Sequence, residues 1–135
     1  MFERKRPVPQ KRIDSLIGAE TRVRGDIVFS GGLRIDGQVD GNVATLDGKS
    51  GTLVVSERAR ISGKVEVSHV VVNGTVEGPI TAKDYLELQG KARVVGDLAY
   101  KTLEMHLGAV VAGRLQHFEP ESAEVVEFKR SGAEQ

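Results

Sequence analysis

Apolar and polar residues alternate along most of this chain, in segments that recur about every 17 residues. Between residues 33 and 43 every second position is apolar or glycine, and the positions between them are polar. The same arrangement returns 37 residues later, between residues 70 and 80. Alternation with period two is typical of a β-strand with one buried face and one solvated face. Its regular return predicts a solenoid, in which each repeat buries its apolar face by stacking on the next.

The repeat extends from about residue 17 to residue 116. Residues 86–98 match residues 103–115 at a shift of 17, and residues 53–65 fit the same template except for Glu57 at one inward position. A weaker copy covers residues 17–27. One glycine per repeat recurs at intervals of 16, 22, 15, 18 and 17 residues: Gly25, Gly41, Gly63, Gly78, Gly96 and Gly113. The longest interval contains Asp47-Gly-Lys-Ser-Gly51, which predicts a loop that leaves one coil.

A repeat of this length accommodates three short strands and three corners. The sequence therefore predicts an all-β protein, a parallel β-helix with a triangular cross-section and about six coils, roughly 29 Å long at about 4.8 Å per coil. The composition agrees with a narrow interior, since only 4% of the residues are aromatic and none is tryptophan. The 16 glycines lie mainly at repeat-fixed positions, where corners need positive φ or a close backbone approach.

The charge distribution divides the chain into a domain and two tails. We predict a basic flexible tail over residues 1–15, the β-helix domain over residues 16–118, and an acidic flexible tail over residues 119–135. Basic and acidic residues number 19 each, so the net charge does not indicate a nucleic-acid partner. The sequence has no cysteine, no signal-peptide core and no apolar run of membrane-spanning length. These features predict a cytoplasmic protein.

Candidate catalytic chemistry is sparse in the sequence. Gly48-Lys49-Ser50 resembles the end of a phosphate-binding loop, but position 43 is Val where that motif needs glycine, so we interpret the segment as a plain turn. The histidines, His69, His106 and His117, show no paired carboxylate and no metal-ligand spacing in the sequence. We expect His106 to be a solvated surface residue, and we predict no catalytic residue, no metal site and no cofactor.

Several segments resemble the bactofilin family. They are Ile13-Asp-Ser-Leu-Ile-Gly18, Val23-Arg-Gly-Asp-Ile27, Leu33-Arg-Ile-Asp-Gly-Gln-Val-Asp-Gly41, Val72-Asn-Gly-Thr-Val-Glu-Gly78, and residues 108–115. The resemblance covers residues 13 to about 118. It implies a right-handed β-helix, in line with the usual hand of parallel crossovers. It also implies a bacterial cytoskeletal protein that polymerises end to end without nucleotide, often at the inner membrane, and scaffolds cell-shape and envelope processes. Envelope or cell-wall proteins would then be partners.

The ends of such a solenoid are expected to be the assembly surfaces, because an end exposes unpaired backbone groups and the apolar interior. The residues that we expect to form the polymerisation interface are Leu16, Ile17, Val23, Ile27, Phe29, Leu107, Val111, Leu115 and Phe118. The N-terminal tail combines a small apolar insert with nearby cations, which favours an anionic membrane surface. The residues expected to bind it are Met1, Phe2, Arg4, Lys5, Arg6, Lys11 and Arg12.

Two other functional classes stay open on the sequence. One is a monomeric β-helix adaptor whose tails recruit partners. The other is an acyltransferase of the hexapeptide-repeat kind, disfavoured because the repeat here is irregular and the histidines are unpaired. A small-molecule substrate is therefore not expected. Native size separates the three classes, since a polymer, a monomer near 15 kDa and a trimer differ widely.

Overall fold

A computed structural model describes residues 12–47 and 49–118, and the regular elements in these residues are all β-strands. The strands are β1 (Ser15–Ile17), β2 (Arg22–Arg24), β3 (Ile27–Phe29), β4 (Gly31–Ile35), β5 (Gln38–Asp40), β6 (Val43–Thr45), β7 (Gly51–Val55), β8 (Arg60–Ser62), β9 (Val65–Val72), β10 (Thr75–Glu77), β11 (Ile80–Leu88), β12 (Arg93–Val95), β13 (Leu98–Tyr100), β14 (Leu103–Met105), β15 (Val110–Ala112) and β16 (Leu115–His117). The predicted tails lie almost entirely outside the described residues. The described part contains no helix that is long and apolar enough to cross a membrane.

Every strand pair is parallel, and the strands form three faces with six segments each. Face A consists of β1, β4, β7, the second half of β9, the second half of β11, and β14. Face B consists of β2, β5, β8, β10, β12 and β15. Face C consists of β3, β6, the first half of β9, the first half of β11, β13 and β16. One segment from each face makes a coil, so the described residues form six coils, which are numbered 1 to 6 in chain order. The predicted parallel β-helix of about six coils is confirmed.

The core runs along the axis of this solenoid. Inward residues stack in columns, as in the face B column Val23, Val39, Ile61, Val76, Val94 and Val111. Within the described residues, every fully buried apolar side chain lies between Leu33 and Leu98, which are in coils 2 and 5. The inward side chains of coils 1 and 6 are at best partly buried. In the described part of the chain, each interior coil is therefore covered on both sides, whereas a terminal coil is covered on one side only.

The glycine that recurs once per coil occupies a single column at the corner between faces B and C. At each of the last five members, a Cβ atom would lie 2.0 to 2.5 Å from the carbonyl oxygen of the glycine one coil earlier. At Gly96 the φ angle of +146° also disfavours any side chain. Stacked coils approach too closely here for a larger residue, which confirms the glycine repeat as the marker of the coils.

The corner between faces A and B alternates in length over coils 1 to 5, which accounts for part of the irregular period. Four residues separate the strands there in coils 1, 3, 5 and 6, and each of these wide corners is closed by a turn hydrogen bond such as Ala59 N–H to Ser56 O at 2.9 Å. Only two residues separate them in coil 2, at Asp36-Gly37, and in coil 4, at Asn73-Gly74. The 22-residue interval contains a wide corner and the predicted loop, which leaves coil 2 after β6 and rejoins the stack at Gly51.

Candidate functional site

At the N-terminal end of the solenoid, the first residue of each stacked column of inward side chains lies in coil 1. Ile17 precedes Ile35, Val23 precedes Val39, and Ile27 precedes Val43 in register. The second member of each pair is fully buried, whereas the first is only partly buried. Phe29 occupies the corresponding position of a fourth column and is also partly buried. Among the described residues, no strand pairs with the outer edges of β1, β2 and β3.

At the C-terminal end, the last residue of each of these columns lies in coil 6. Val111 continues the column of Val94, and Leu115 continues the column of Leu98. Leu98 is fully buried, but Leu115 is 45% exposed because the described chain places no coil above it. Met105, which sequence analysis did not assign to the interface, ends the column of Leu88 and is 44% exposed. The sequence repeat at a shift of 17 already aligns Met105 with Leu88, so it could have identified Met105 as an inward residue of the last coil.

The remaining predicted interface residues lie in the terminal coils or directly after the last strand, but they are not members of the inward columns described above. Leu107 is in the wide corner of coil 6, where it is 98% exposed. Phe118 follows β16, is partly buried, and donates its backbone N–H to the carbonyl of Tyr100 at 2.9 Å. Leu16 pairs in register with the exposed Arg34, so its side chain lies on the outer surface of face A and not with that of Ile17.

The predicted membrane-binding residues lie outside the described residues, with one exception. Met1, Phe2, Arg4, Lys5, Arg6 and Lys11 are outside them. Arg12 is the first residue described, and its Nε donates to Asp14 Oδ1 at 2.9 Å. The hydrogen bond that Asp14 accepts from the backbone of Gly32, together with the charge of Arg12, lowers the pKa of this carboxyl group.

A polar cluster on the outer surface of face A corrects one sequence-based interpretation. His106 was expected to have no paired carboxylate, but its Nε2 lies 3.0 Å from Glu87 Oε2 and 3.2 Å from Glu104 Oε2. The Tyr85 hydroxyl donates a short hydrogen bond to Glu104, and this bond and partial burial raise the pKa of Tyr85. The expectation was wrong because Glu87 is brought to His106 by the stacking of coils 5 and 6 and not by proximity in sequence.

A groove of about 550 Å³ runs along the corner between faces A and B. Val54 and Val71 form part of its floor, and Arg34, Glu57 and Arg58 are among its charged walls. The groove follows from the alternating corner lengths, because the narrow corners of coils 2 and 4 recede between wide ones. Its lining combines apolar and charged side chains.

The stacked parallel coils define this protein as a β-solenoid, and in the described residues its two ends leave strand edges and inward apolar side chains uncovered. Residues 15–116 match the family model for bactofilins, described as polymer-forming cytoskeletal proteins. The chain belongs to the bactofilin family, which confirms the resemblance found in the sequence.

Two curated relatives come from Myxococcus xanthus. Bactofilin BacP is 28% identical over 102 residues, which cover 76% of this chain and 41% of BacP. Bactofilin BacO is 28% identical over 102 residues, which cover 76% of this chain and 78% of BacO. The match thus spans less than half of BacP and most of BacO. No solved structure matches the chain significantly.

Proposed function

We propose that this protein polymerises end to end by stacking the terminal coils of successive subunits, and that the resulting filaments act as a scaffold. The observation that carries the proposal is a difference in burial between two residues of one inward column. Leu98 is fully buried, whereas Leu115, one coil later, is 45% exposed. A neighbouring subunit placed on coil 6 would bury Leu115 as coil 6 buries Leu98. The family supports self-association in general terms.

Two kinds of interaction favour this mode of assembly. Each described end has three strand edges whose backbone groups face away from the stack, and such edges pair readily with another chain. Each end also has inward apolar side chains, and burial of a large one contributes about 2 kcal/mol. Several such side chains per end and backbone pairing on three faces together oppose the loss of translational and rotational freedom on association.

The proposal includes assembly without nucleotide. Gly48-Lys49-Ser50 was the segment closest to a phosphate loop, and Lys49 and Ser50 are exposed in the connection between β6 and β7. The proposed contacts are apolar packing and strand pairing, and neither uses a phosphate group. Filament yield is therefore expected to be the same with ATP, with GTP and without either.

The test of end-to-end assembly compares substitutions at the end with one on the side of the stack. Leu115 is 45% exposed at the C-terminal end, and Val95 is 56% exposed on β12, a strand that is paired on both edges within the subunit. We expect Leu115→Arg and Phe118→Arg to abolish filaments in negative-stain images and to shift the protein to small species in gel filtration. Val95→Arg should assemble as the unchanged protein does. Normal filaments from Leu115→Arg would reject the terminal coils as the interface.

Membrane attachment by the N-terminal segment is the second part of the proposal. Five basic residues follow Met1 and Phe2 within the first twelve positions. Each contributes about 1 kcal/mol near an anionic surface, so a single segment binds weakly, and many segments on one filament bind by avidity. Co-sedimentation with anionic vesicles should be strong for the full chain, weak for Leu115→Arg, and absent without residues 1–12. Equal pelleting with and without residues 1–12 would reject this anchor.

A further inference from the structure

The cluster on face A brings three potential metal ligands together from two coils. Glu87 of β11 and Glu104 of β14 are partners in register, so their side chains stack on the outer surface one coil apart. His106 follows β14 at the first position of the wide corner in coil 6. One ligand atom from each of the three residues lies within 4.8 Å of the others.

The spacing of these atoms matches the spacing of ligands around one metal ion. His106 Nε2 holds at most one proton, yet it faces one carboxylate oxygen at 3.0 Å and another at 3.2 Å. The two stacked carboxylates also repel each other, which disfavours their pairing across strands. Ligands about 2.0 Å from a tetrahedral Zn²⁺ are about 3.3 Å apart, close to both of the observed separations.

Neighbouring side chains hold both carboxylates in place. The Tyr85 hydroxyl donates to Glu104 Oε1, and Gln89 Nε2 donates to Glu87 Oε2 at 3.2 Å. Glu87 is itself partly buried, with a side chain that is 19% exposed. Outer hydrogen bonds of this kind orient metal ligands and increase metal affinity. The cluster thus has both a ligand set and hydrogen bonds that orient it.

We propose that Glu87, Glu104 and His106 form a binding site for a divalent transition-metal ion of the Zn²⁺ type, which links coil 6 to coil 5. One imidazole nitrogen and two carboxylate oxygens are a ligand set that Zn²⁺ accepts, with the fourth position open. Mg²⁺ prefers six oxygen ligands and retains water, so it is expected to compete poorly. Bound metal adds a cross-link beside the terminal coil that the proposed assembly uses, but assembly does not depend on it.

The test measures binding of Zn²⁺ to the full chain by competition with a chromogenic chelator. We expect one zinc ion per chain, with affinity at least tenfold weaker in Glu104→Gln and His106→Gln. Glu66→Gln removes the same charge as Glu104→Gln from an exposed glutamate on face C and should bind zinc normally. Tyr85→Phe, which keeps all three ligands, should weaken binding about tenfold.

Thermal unfolding supplies a readout that is independent of the chelator. Zinc should raise the melting temperature of the unchanged protein and of Glu66→Gln, and leave that of His106→Gln unchanged. Circular dichroism without metal verifies that the variants are folded. The absence of saturable zinc binding, or equal binding by the unchanged protein, Glu104→Gln and His106→Gln, would overturn the proposal. Neither result bears on end-to-end assembly, which is tested by Leu115→Arg.

Discussion

Lys91 and Glu57 form an ion pair of 2.9 Å, although an entire coil separates the coils to which they belong. Lys91 is in the wide corner of coil 5 and Glu57 in that of coil 3, and the narrow corner of coil 4 recedes between them. The hydrogen bond from Lys91 lowers the pKa of Glu57. The lengths of the corners therefore determine which surface side chains meet along the rod.

Inward and outward positions on one strand should differ sharply in their sensitivity to truncation. Leu53 on β7 is fully buried, and its neighbour Val54 points outward into the groove. Leu53→Ala removes buried methyl groups and leaves a cavity, so we expect a loss of about 2–5 kcal/mol in the free energy of unfolding. Val54→Ala should cost much less. Denaturant unfolding measures both, and similar losses would contradict the assigned orientation of β7.

Alanine substitutions at two glycines of the same column should distinguish the effect of close coil packing from the effect of backbone strain. Gly25 and Gly96 have φ angles of +131° and +146°, but a Cβ at Gly25 meets nothing within 4 Å, whereas one at Gly96 lies 2.5 Å from Gly78 O. Gly25→Ala should cost about 1–2 kcal/mol from strain alone. Gly96→Ala must also separate coils 4 and 5, so its loss of stability should be clearly larger. Thermal unfolding provides the comparison, and equal melting temperatures would disprove the role of coil contact.

Removal of an unpaired buried hydroxyl is expected to stabilise the protein. Thr52 on β7 is 5% exposed, and its Oγ1 has no hydrogen-bond partner among the described residues. Thr52→Val keeps the shape and removes the desolvated group, so stability should rise by about 1 kcal/mol. Thr52→Ser keeps the hydroxyl and loses the methyl group, and it should destabilise. A lower melting temperature for Thr52→Val would show that the hydroxyl has a partner in solution.

The acid sensitivity of the protein should depend in part on Asp36. The hydrogen bond from Ser56 and the neighbouring Arg34 lower the pKa of Asp36 in the folded state. Because the pKa is lower in the folded state, the ionised carboxylate stabilises the protein at pH values above the unfolded-state pKa of about 3.9. This stabilisation is lost as the pH falls through the folded-state pKa. Asp36→Asn should therefore be less stable than the unchanged protein at pH 7, with the difference shrinking below about pH 4.

The control for Asp36 is Asp84→Asn, at an exposed carboxylate between the two halves of β11. Because its side chain is exposed, this substitution should leave the free energy of unfolding at pH 7 close to that of the unchanged protein. Denaturant unfolding at several pH values gives the required free energies. A stability difference for Asp36→Asn that stays constant down to pH 2.5 would exclude a contribution from its ionisation.

The sequence predicted the coils well because their signals are local. Strict alternation identifies strands, and the glycine column counted six coils correctly despite unequal intervals. Leu16 was harder to place because Leu16 and Ile17 are both apolar, and a shift of one residue exchanges the inward and outward faces. The contact of His106 with Glu87 was missed for another reason. The shift of 17 aligns Glu87 with Glu104, but these are outward positions, and the alternation pattern predicts burial only for the inward ones.

The stacking of parallel strands on all three faces also has a mechanical consequence. The backbone hydrogen bonds between successive coils run along the axis of the rod, whereas the covalent chain runs around it. Tension along the axis therefore loads the hydrogen bonds of three faces together, and two coils separate only when all three ladders open. Because the chain runs around the axis, a force perpendicular to the axis is instead borne by the covalent backbone. A rod built in this way resists lengthwise pulling as a cooperative unit, which is the load that the proposed filament would carry.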